Sequence, residues 1–435
     1  MSITKKIESI NLKNNYFNIL YSLIMPFFVL GQAAFKFILL LIIFSAVILF
    51  KGRIFYFKKN MLNILFLITL VYFIFNSLII SNIYYDYNNR YLTFIFIFLF
   101  YLSTDQLFKK KLINFQLIFK FNIFIFLFIY IDTIYQIIFK KDLFGFDYYA
   151  AYDRYAGPFG DEFILGAFMS FFMVPSFLIY LKENHSNKFK KIFIIFFLFL
   201  SIYIALKIGE RIAFLTIMLQ LIMCLIIFKF KNKKYYIFLT LLISLIVISI
   251  MANDKGITKK YEHFYNILFN YELFIKNNKK ENVEINKISF LNSQTGAHFL
   301  TALKIWDKYP ILGVGIKNFR HESTKEIYST IKSHQAEFRV STHPHNFQLE
   351  LLSETGIVGF LLFNFFIIYL FYKILKNFKI YEQNNYILFI FFILIFSKYF
   401  PLKADSSLYS SSMGLLFWIF LIFLLTTINK SLELK

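Results

Sequence analysis

The chain is 435 residues long and 58 % apolar, well above the roughly half that an ordinary soluble domain carries, so a soluble globular fold is excluded. With 14 Gly and 6 Pro, collagen-like and linker-like chains are excluded as well. The net charge is +22, but in a membrane chain an excess of Lys and Arg orients the spans, so nucleic-acid binding is not indicated. Cys224 is the lone cysteine and forms no intrachain disulfide, which leaves the redox compartment open.

Apolar runs able to cross a hydrocarbon layer of roughly 30 Å as helices follow one another along the chain. They lie near 16–34, 36–50, 61–81, 91–104, 112–139, 163–181, 191–207, 211–228, 235–252, 357–375, 385–400 and 413–428. The expected fold is therefore an all-α polytopic membrane protein of about twelve spans. The runs 36–50 and 91–104 are short for a span. No cleavable signal peptide is expected, since the first run lacks a small-residue cleavage site and leads at once into another span.

Lys and Arg in short loops stay on the cytoplasmic side. Alternate loops carry Lys51, Arg53, Lys58 and Lys59; Lys109 to Lys111; Lys182, Lys188, Lys190 and Lys191; Lys229, Lys231, Lys233 and Lys234; and Lys373, Lys376 and Lys379. All five fall on one side, which places both termini there. Residues 253–356 then form one large outer loop, exempt from the charge rule by its length. The expected organisation is an N-terminal bundle of about nine spans over 1–252, the loop, and a C-terminal bundle of about three spans over 357–435. Two runs in the loop, His298 to Trp306 and Phe347 to Leu352, are amphipathic and predict helices at the outer interface.

The chain chooses Lys over Arg almost everywhere, yet Arg90, Arg154, Arg211, Arg320 and Arg339 all fall on the outer side, with Arg53 the exception. So do His263, His298, His321, His334, His343 and His345. A guanidinium grips phosphate in a planar fork, and imidazole is the commonest general base. Together they suggest an outward-facing site for a phosphorylated, hydroxyl-bearing substrate. The plainer reading is that polar residue types collect in the one large polar loop. Arg211, in Gly209-Glu210-Arg211, sits on a very short connection at the bilayer boundary, where charges are costly and are paired or functional. An ion pair with Glu210 or snorkelling to the headgroups are its structural alternatives. Arg154 precedes Gly157-Pro158-Phe159-Gly160, a turn whose amides could face an anion, with Asp153 or Asp161 as alternative partners for the arginine.

In Ser341-Thr342-His343-Pro344-His345-Asn346, Pro344 keeps His343 out of a helix, so a helix should begin around His345 or Asn346. His-x-His alone lacks the further ligands of a zinc site, and the acids around 153–162 are a weak signal for a divalent cation, so no metal is assigned. Gly356 and Gly359 are read as close helix packing.

His345-Asn346, followed nine residues later by Gly356-x-x-Gly359, resembles the signature of the O-antigen ligase and polymerase family of bacterial envelope enzymes. Three further stretches agree with it. Tyr309-Pro310-Ile311-Leu312-Gly313-Val314-Gly315 resembles the family's Pro-Leu-x-Gly-x-Gly loop segment, Gly209-Glu210-Arg211 its Ser-Arg, and Arg154 to Gly160 its Arg-x-x-Gly-x-Phe turn. Two departures stand out: Ser293 to His298 occupies the place of the family's second loop arginine, and Asp161-Glu162 replaces the usual Pro-Asn.

The resemblance implies a GT-C-like multi-pass glycosyltransferase with no cofactor, taking a glycan from undecaprenyl diphosphate to a sugar hydroxyl at the periplasmic face. The acceptor would be lipid A core for a ligase or a lipid-linked glycan for a polymerase, the latter working with a chain-length regulator. Carried over, His345 would take the acceptor proton and Arg211 would grip the diphosphate. Arg154, Arg320, Arg339, His298 and His343 are further candidates for substrate binding, and Arg154, Arg320, Arg339 or His298 could replace the missing arginine. The competing readings are a lipid-linked glycan flippase or transporter and a non-enzymatic assembly protein. The first calls for charged spans and matched broken helices, and neither is evident.

Overall fold

A bilayer offers no water to backbone amides, so apolar runs must satisfy their own hydrogen bonds as helices. In the computed structural model the apolar runs are helical, and no strand occurs among the described residues. Those residues are 15–53, 57, 59–85, 89–150, 153–171, 188–227, 245, 249, 252–269, 289–378, 386–401, 403–409 and 411–433. In chain order the principal helices are α1 (Asn15–Val29), α2 (Gln32–Phe50), α3 (Met61–Tyr84), α4 (Tyr91–Lys109), α5 (Phe115–Phe139) and α6 (Lys188–Lys207). They continue with α7 (Arg211–Ile227), α8 (Lys255–Phe269), α9 (Gln294–Lys308), α10 (Phe347–Lys376), α11 (Tyr386–Tyr399) and α12 (Ser412–Glu433).

Six of these are long and apolar enough to cross a membrane: α2, α3, α4, α5, α10 and α12. The count of about twelve expected from the sequence is thus met only in part. Asn15–Val29, Phe196–Lys207, Arg211–Cys224 and Ile387–Tyr399 are apolar but shorter. The expected spans near 163–181 and 235–252 lie largely outside the described residues. The two runs that looked short reach full length, because α2 and α4 recruit flanking polar residues such as Gln32 and Asp105 to Lys109.

Helix α12 is the axis of the bundle, 94 % buried along its apolar window, whereas α2 and α10 are 33 % buried. On α2, Phe35, Ile38, Leu39 and Ile42 face inward, while Phe37, Leu40, Phe44 and Ile48 remain exposed. Both sides are apolar, as a helix between protein and lipid requires. Phenylalanine fills the interior: Phe115, Phe391, Phe420 and Phe423 form edge-on and tilted pairs around α12.

Connections gather at two ends. At one end Asn429 of α12 accepts from Asn60 Nδ2 at 2.8 Å and donates to Tyr101 at 3.2 Å, and Asp105 pairs with Lys109. Asn18 accepts from the amide of Asn114 at 2.7 Å, so the first described residues lie at this lysine-bearing end. At the other end the segments 81–91, 140–165, 207–211, 254–260, 309–346 and 400–411 touch one another, for example through Ser81 and Ile316, Lys260 and Asp153, and Lys207 and Asp254. Charged and polar groups are nonetheless not confined to the ends. Asn122, Asp132, Gln220, Glu350 and Lys398 are buried within helices, which the sequence reading of almost purely apolar spans did not anticipate.

Candidate active site

The segment 309–319 is built into the bundle by backbone contacts. Gly313 and Gly315 adopt positive φ, and a Cβ on Gly313 would fall 2.3 Å from the carbonyl carbon of Glu354. This closeness lets Val314 and Gly315 donate to Ser353 and Glu354 at 3.0 and 2.9 Å. Across from them α10 breaks at Gly356, whose φ of +63° and 2.2 Å clearance to the Ile311 carbonyl admit no side chain. The kink falls at the end of the expected outer loop. Tyr72 of α3 donates to the Thr355 carbonyl freed there, at 2.7 Å. A π-helical turn over Asn76–Ile80 presents Asn76, which accepts from Ile316 and donates to Leu312. The spaced glycines are thus packing devices, as the sequence reading held.

Helix α10 starts where the sequence placed it. Asn346 is its N-cap, its Oδ1 accepting from Leu349 at 3.0 Å. Its Nδ2 donates to the carbonyls of Pro401 and Lys403, which ties the helix start to the connection ahead of α12. His345 takes a φ of +57°, a left-handed conformation costly to a residue with a side chain. The amide of Asp405 holds it there by donating to the His345 carbonyl at 2.7 Å.

Three of the expected histidines meet here. The His345 ring lies 5.0 Å from that of His298, on α9, and 4.2 Å from that of His343. Nε2 of His345 is 3.3 Å from the Ser341 hydroxyl. His298 Nδ1 and His343 Nε2 are buried without a hydrogen-bond partner. Burial, and then the neighbouring imidazoles, push the pKa of His345 down to about 3, and burial foremost pushes His343 down to about 4. Both rings are therefore neutral with a free lone pair. No group of three His, Cys, Asp or Glu among the described residues has the arrangement of a metal site.

Arg320 follows in the short helix Phe319–Glu322, with Nε buried and unpartnered. Glu354 orients that helix by accepting from the amides of Lys317 and Phe319 at 2.7 and 3.1 Å. The Arg320 charge is felt at His343. Arg339 sits on a turn packed against α9 and reaches the exposed Glu326 at 3.9 Å, a long contact of little energetic weight.

Arg154 and Arg211 form a second group, close enough for their charges to oppose each other. Neither pairs with the acid beside it. The Glu210 carboxylate accepts from the amides of Gly166 and Ala167, both at 3.2 Å, and Asp153 pairs with Lys260 at 2.8 Å. Burial raises Glu210 to about 7. The arginines instead lie over aromatic rings, Arg154 5.1 Å from Phe163 and Arg211 5.8 Å from Phe264. Arg211 Nε is buried without a partner. The turn after Arg154 faces the bundle, since the Gly157 amide donates to Gln136 at 2.9 Å and is closed to an anion.

The two groups do not touch, and α11 connects them. Its Ser397 accepts from Gln220 of α7 at 2.8 Å, and the Lys398 charge reaches Glu210. Lys398 also pairs at 2.5 Å with Asp405, whose other oxygen is 2.9 Å from Lys403. Burial opposes the Asp405 charge, but the two lysines outweigh it and hold its pKa at about 2. Burial brings Lys403 down to about 8. Sequence reasoning passed over Lys398, Lys403 and Asp405. The signal available was charge on a short outer connection at the membrane boundary.

Residues 196–364 match the family model described as O-Antigen ligase. No curated protein matches the chain. The matched stretch begins ahead of Arg211, runs through Arg320 and the three clustered histidines, and ends beyond the Gly356 kink, so this part of the chain is similar to an O-antigen ligase domain.

Proposed function

We propose that this protein is a membrane glycosyltransferase that moves a glycan from undecaprenyl diphosphate to a sugar hydroxyl of lipid A core. The reaction occurs at the periplasmic face of the bacterial inner membrane, with both termini cytoplasmic. The observation that carries the reading is His345, a neutral imidazole fixed at a helix start within the ligase-matching segment, with cationic arginines on the same end of the bundle. The acceptor oxygen bonds to the anomeric carbon as the carbon–oxygen bond to the diphosphate breaks, and attack from the opposite face inverts that centre. The acceptor proton passes to His345, and the departing electron pair stays on the diphosphate.

Fixed cations suit this step because diphosphate is a competent leaving group whose growing charge needs compensation. Arg211, with Arg154 beside it, supplies that charge from a partly desolvated position, and no step is routed through a metal. Burial and the neighbouring imidazoles set the low pKa of His345. A diphosphate brings negative charge that raises it, which makes the imidazole a better proton acceptor once donor is bound.

The test compares surface glycans and lipid-linked intermediates in a deletion strain rescued with the wild-type gene or with His345→Ala. Ligase activity is expected to show as polymer lost from lipid A while long lipid-linked chains accumulate, with no rescue by the variant. Single repeat units on lipid A would instead identify a polymerase of the same mechanism. Full rescue by His345→Ala would remove the catalytic assignment and return the transport and assembly readings.

A further inference from the structure

Two carboxylates of like charge lie buried where α5 ends. Asp132, on the last turns of α5, is 0 % exposed, and Asp142, on the turn that follows the helix, is 2 % exposed. One oxygen of each is engaged. Asp132 Oδ1 accepts from the Leu143 amide at 2.9 Å, and Asp142 Oδ1 accepts from the amides of Phe144 and Phe146 at 3.0 and 2.6 Å. The Leu143 contact sets the first carboxylate beside the residue next to the second. Oδ2 of each is buried with no hydrogen-bond partner.

The charge that acts on Asp132 is that of Asp142, of its own sign. Both lysines of the turn are engaged elsewhere: Lys140 Nζ donates to the Tyr155 hydroxyl at 2.8 Å, and Lys141 pairs with Asp147 at 3.6 Å. A buried carboxylate without a counter-charge is costly, and two neighbouring ones add their repulsion to that cost. Room is left beside Asp132 Oδ2 by Gly157, at a φ of +57°: a Cβ there would lie 3.7 Å from that oxygen and 2.7 Å from Thr133 Oγ1. Thr133 gives its hydroxyl proton to the Ile129 carbonyl at 2.7 Å and keeps its lone pairs.

We infer that Asp132 and Asp142 bind a calcium ion through their Oδ2 atoms, with Thr133 Oγ1 as a neutral third oxygen. A hard, oxygen-preferring cation answers both orphaned oxygens at once and cancels the repulsion between the two carboxylates. Calcium accepts an irregular set of oxygens, whereas magnesium demands a near-ideal octahedron, so calcium is the better match. The ion joins α5 to the turn that follows it. That turn carries Arg154, because Tyr149 and Arg154 exchange both backbone hydrogen bonds, at 2.9 and 3.1 Å. The cation is structural and takes no part in glycan transfer, and the inference does not depend on the transferase reading.

Thermal unfolding of the full chain in detergent, stripped of divalent ions with a chelator and then titrated with calcium chloride or with potassium chloride of equal ionic strength, tests it. Calcium should raise the wild-type midpoint progressively, as a ligand of the folded chain does, and potassium should not. Asp142→Asn keeps an Oδ1 acceptor for the two amides and removes one charge, so it should weaken calcium binding roughly tenfold or more. In chelator the same variant should be at least as stable as wild type, because the repulsion is gone. Asp132→Asn should lose the calcium response in the same way, whereas Asp147→Asn, at an exposed side chain on the same turn, should keep it. Equilibrium dialysis should count one tightly held calcium per wild-type chain. An equal calcium response in wild type and both buried-site variants would overturn the site. No calcium response in wild type, with a gain in stability for Asp142→Asn in chelator, would overturn the cation in favour of a proton shared between the two carboxylates.

Discussion

The backbone amide of Asp405 donates to the carbonyl of His345 at 2.7 Å, so the connection between α11 and α12 holds the histidine in its left-handed conformation. The Asp405 carboxylate, between Lys398 and Lys403, fixes that connection in turn. Removing one member of a buried ion group leaves unpaired charge, at a cost of about 3–5 kcal/mol. Asp405→Asn should therefore lower the thermal midpoint in detergent and displace His345, reducing transfer even at temperatures where the chain is folded. An unchanged midpoint with full transfer would show that the triad does not position the site.

Acid should act on the histidines below the usual imidazole range. The pKa of His345 and His343 falls from 6.5 to about 3 and about 4. Since kcat/KM reports the free enzyme, its acidic limb should lie well below 6.5, while the limb of kcat, set in the donor complex, should lie higher. The stability sign follows from the same depression. The contribution is whole above 6.5 and is lost as pH falls towards the folded values, because the unfolded chain takes up protons that the folded one refuses. His343→Gln with His345→Gln should flatten the decline in thermal midpoint between neutral pH and pH 5. A decline as steep as in wild type would assign the acid sensitivity to other groups.

Local signals in the sequence were strong where covalent geometry decides. Pro344 and Asn346 predicted the start of α10, and the spacing of Gly356 and Gly359 predicted close packing. Hydropathy measures composition and not helix length, and among the described residues six of the expected runs are helices long enough for a full crossing. Which arginine meets which partner could not be read either. Glu210 adjoins Arg211 in sequence, yet it accepts from the amides of Gly166 and Ala167, contacts across 44 and 43 residues that depend on how the chain packs ahead of α7. Asp405 escaped for the same reason: its significance lies in contact with a residue some 60 positions earlier, which no local pattern encodes, and Lys398 matters through its pairing with Asp405.

Arg211 offers a way to separate binding from stability. It has no acidic partner among the described residues, so Arg211→Lys keeps the charge and loses only the planar fork. If Arg211 grips the diphosphate, the variant should keep its thermal midpoint and lose roughly tenfold or more in kcat/KM for the lipid-linked donor. Arg154→Lys should have a smaller effect, since its guanidinium rests 5.1 Å from the Phe163 ring. Steady-state transfer with purified lipid-linked donor reads both. A normal kcat/KM for Arg211→Lys would show that a point charge suffices and that no bidentate grip exists.

Gly356 and Gly359 both belong to the signature, but their surroundings differ. A Cβ on Gly356 would meet backbone, 2.2 Å from the Ile311 carbonyl oxygen and 2.6 Å from the Gly313 amide, at a φ of +63°. One on Gly359 would meet side-chain atoms, Thr355 Oγ1 at 2.2 Å, Thr355 Cβ at 2.4 Å and the Tyr72 ring at 2.7 Å, with no left-handed strain added. Left-handed strain alone costs about 1–3 kcal/mol, and here neither backbone can withdraw without breaking the hydrogen bonds from Ile357 and Val358 to Pro310 and Ile311. Gly356→Ala should thus lower the thermal midpoint well below that of Gly359→Ala and release the 309–319 segment to proteolysis. Equal midpoints for the two variants would mean that the segment is not locked to the kink, and that the glycines serve helix packing alone.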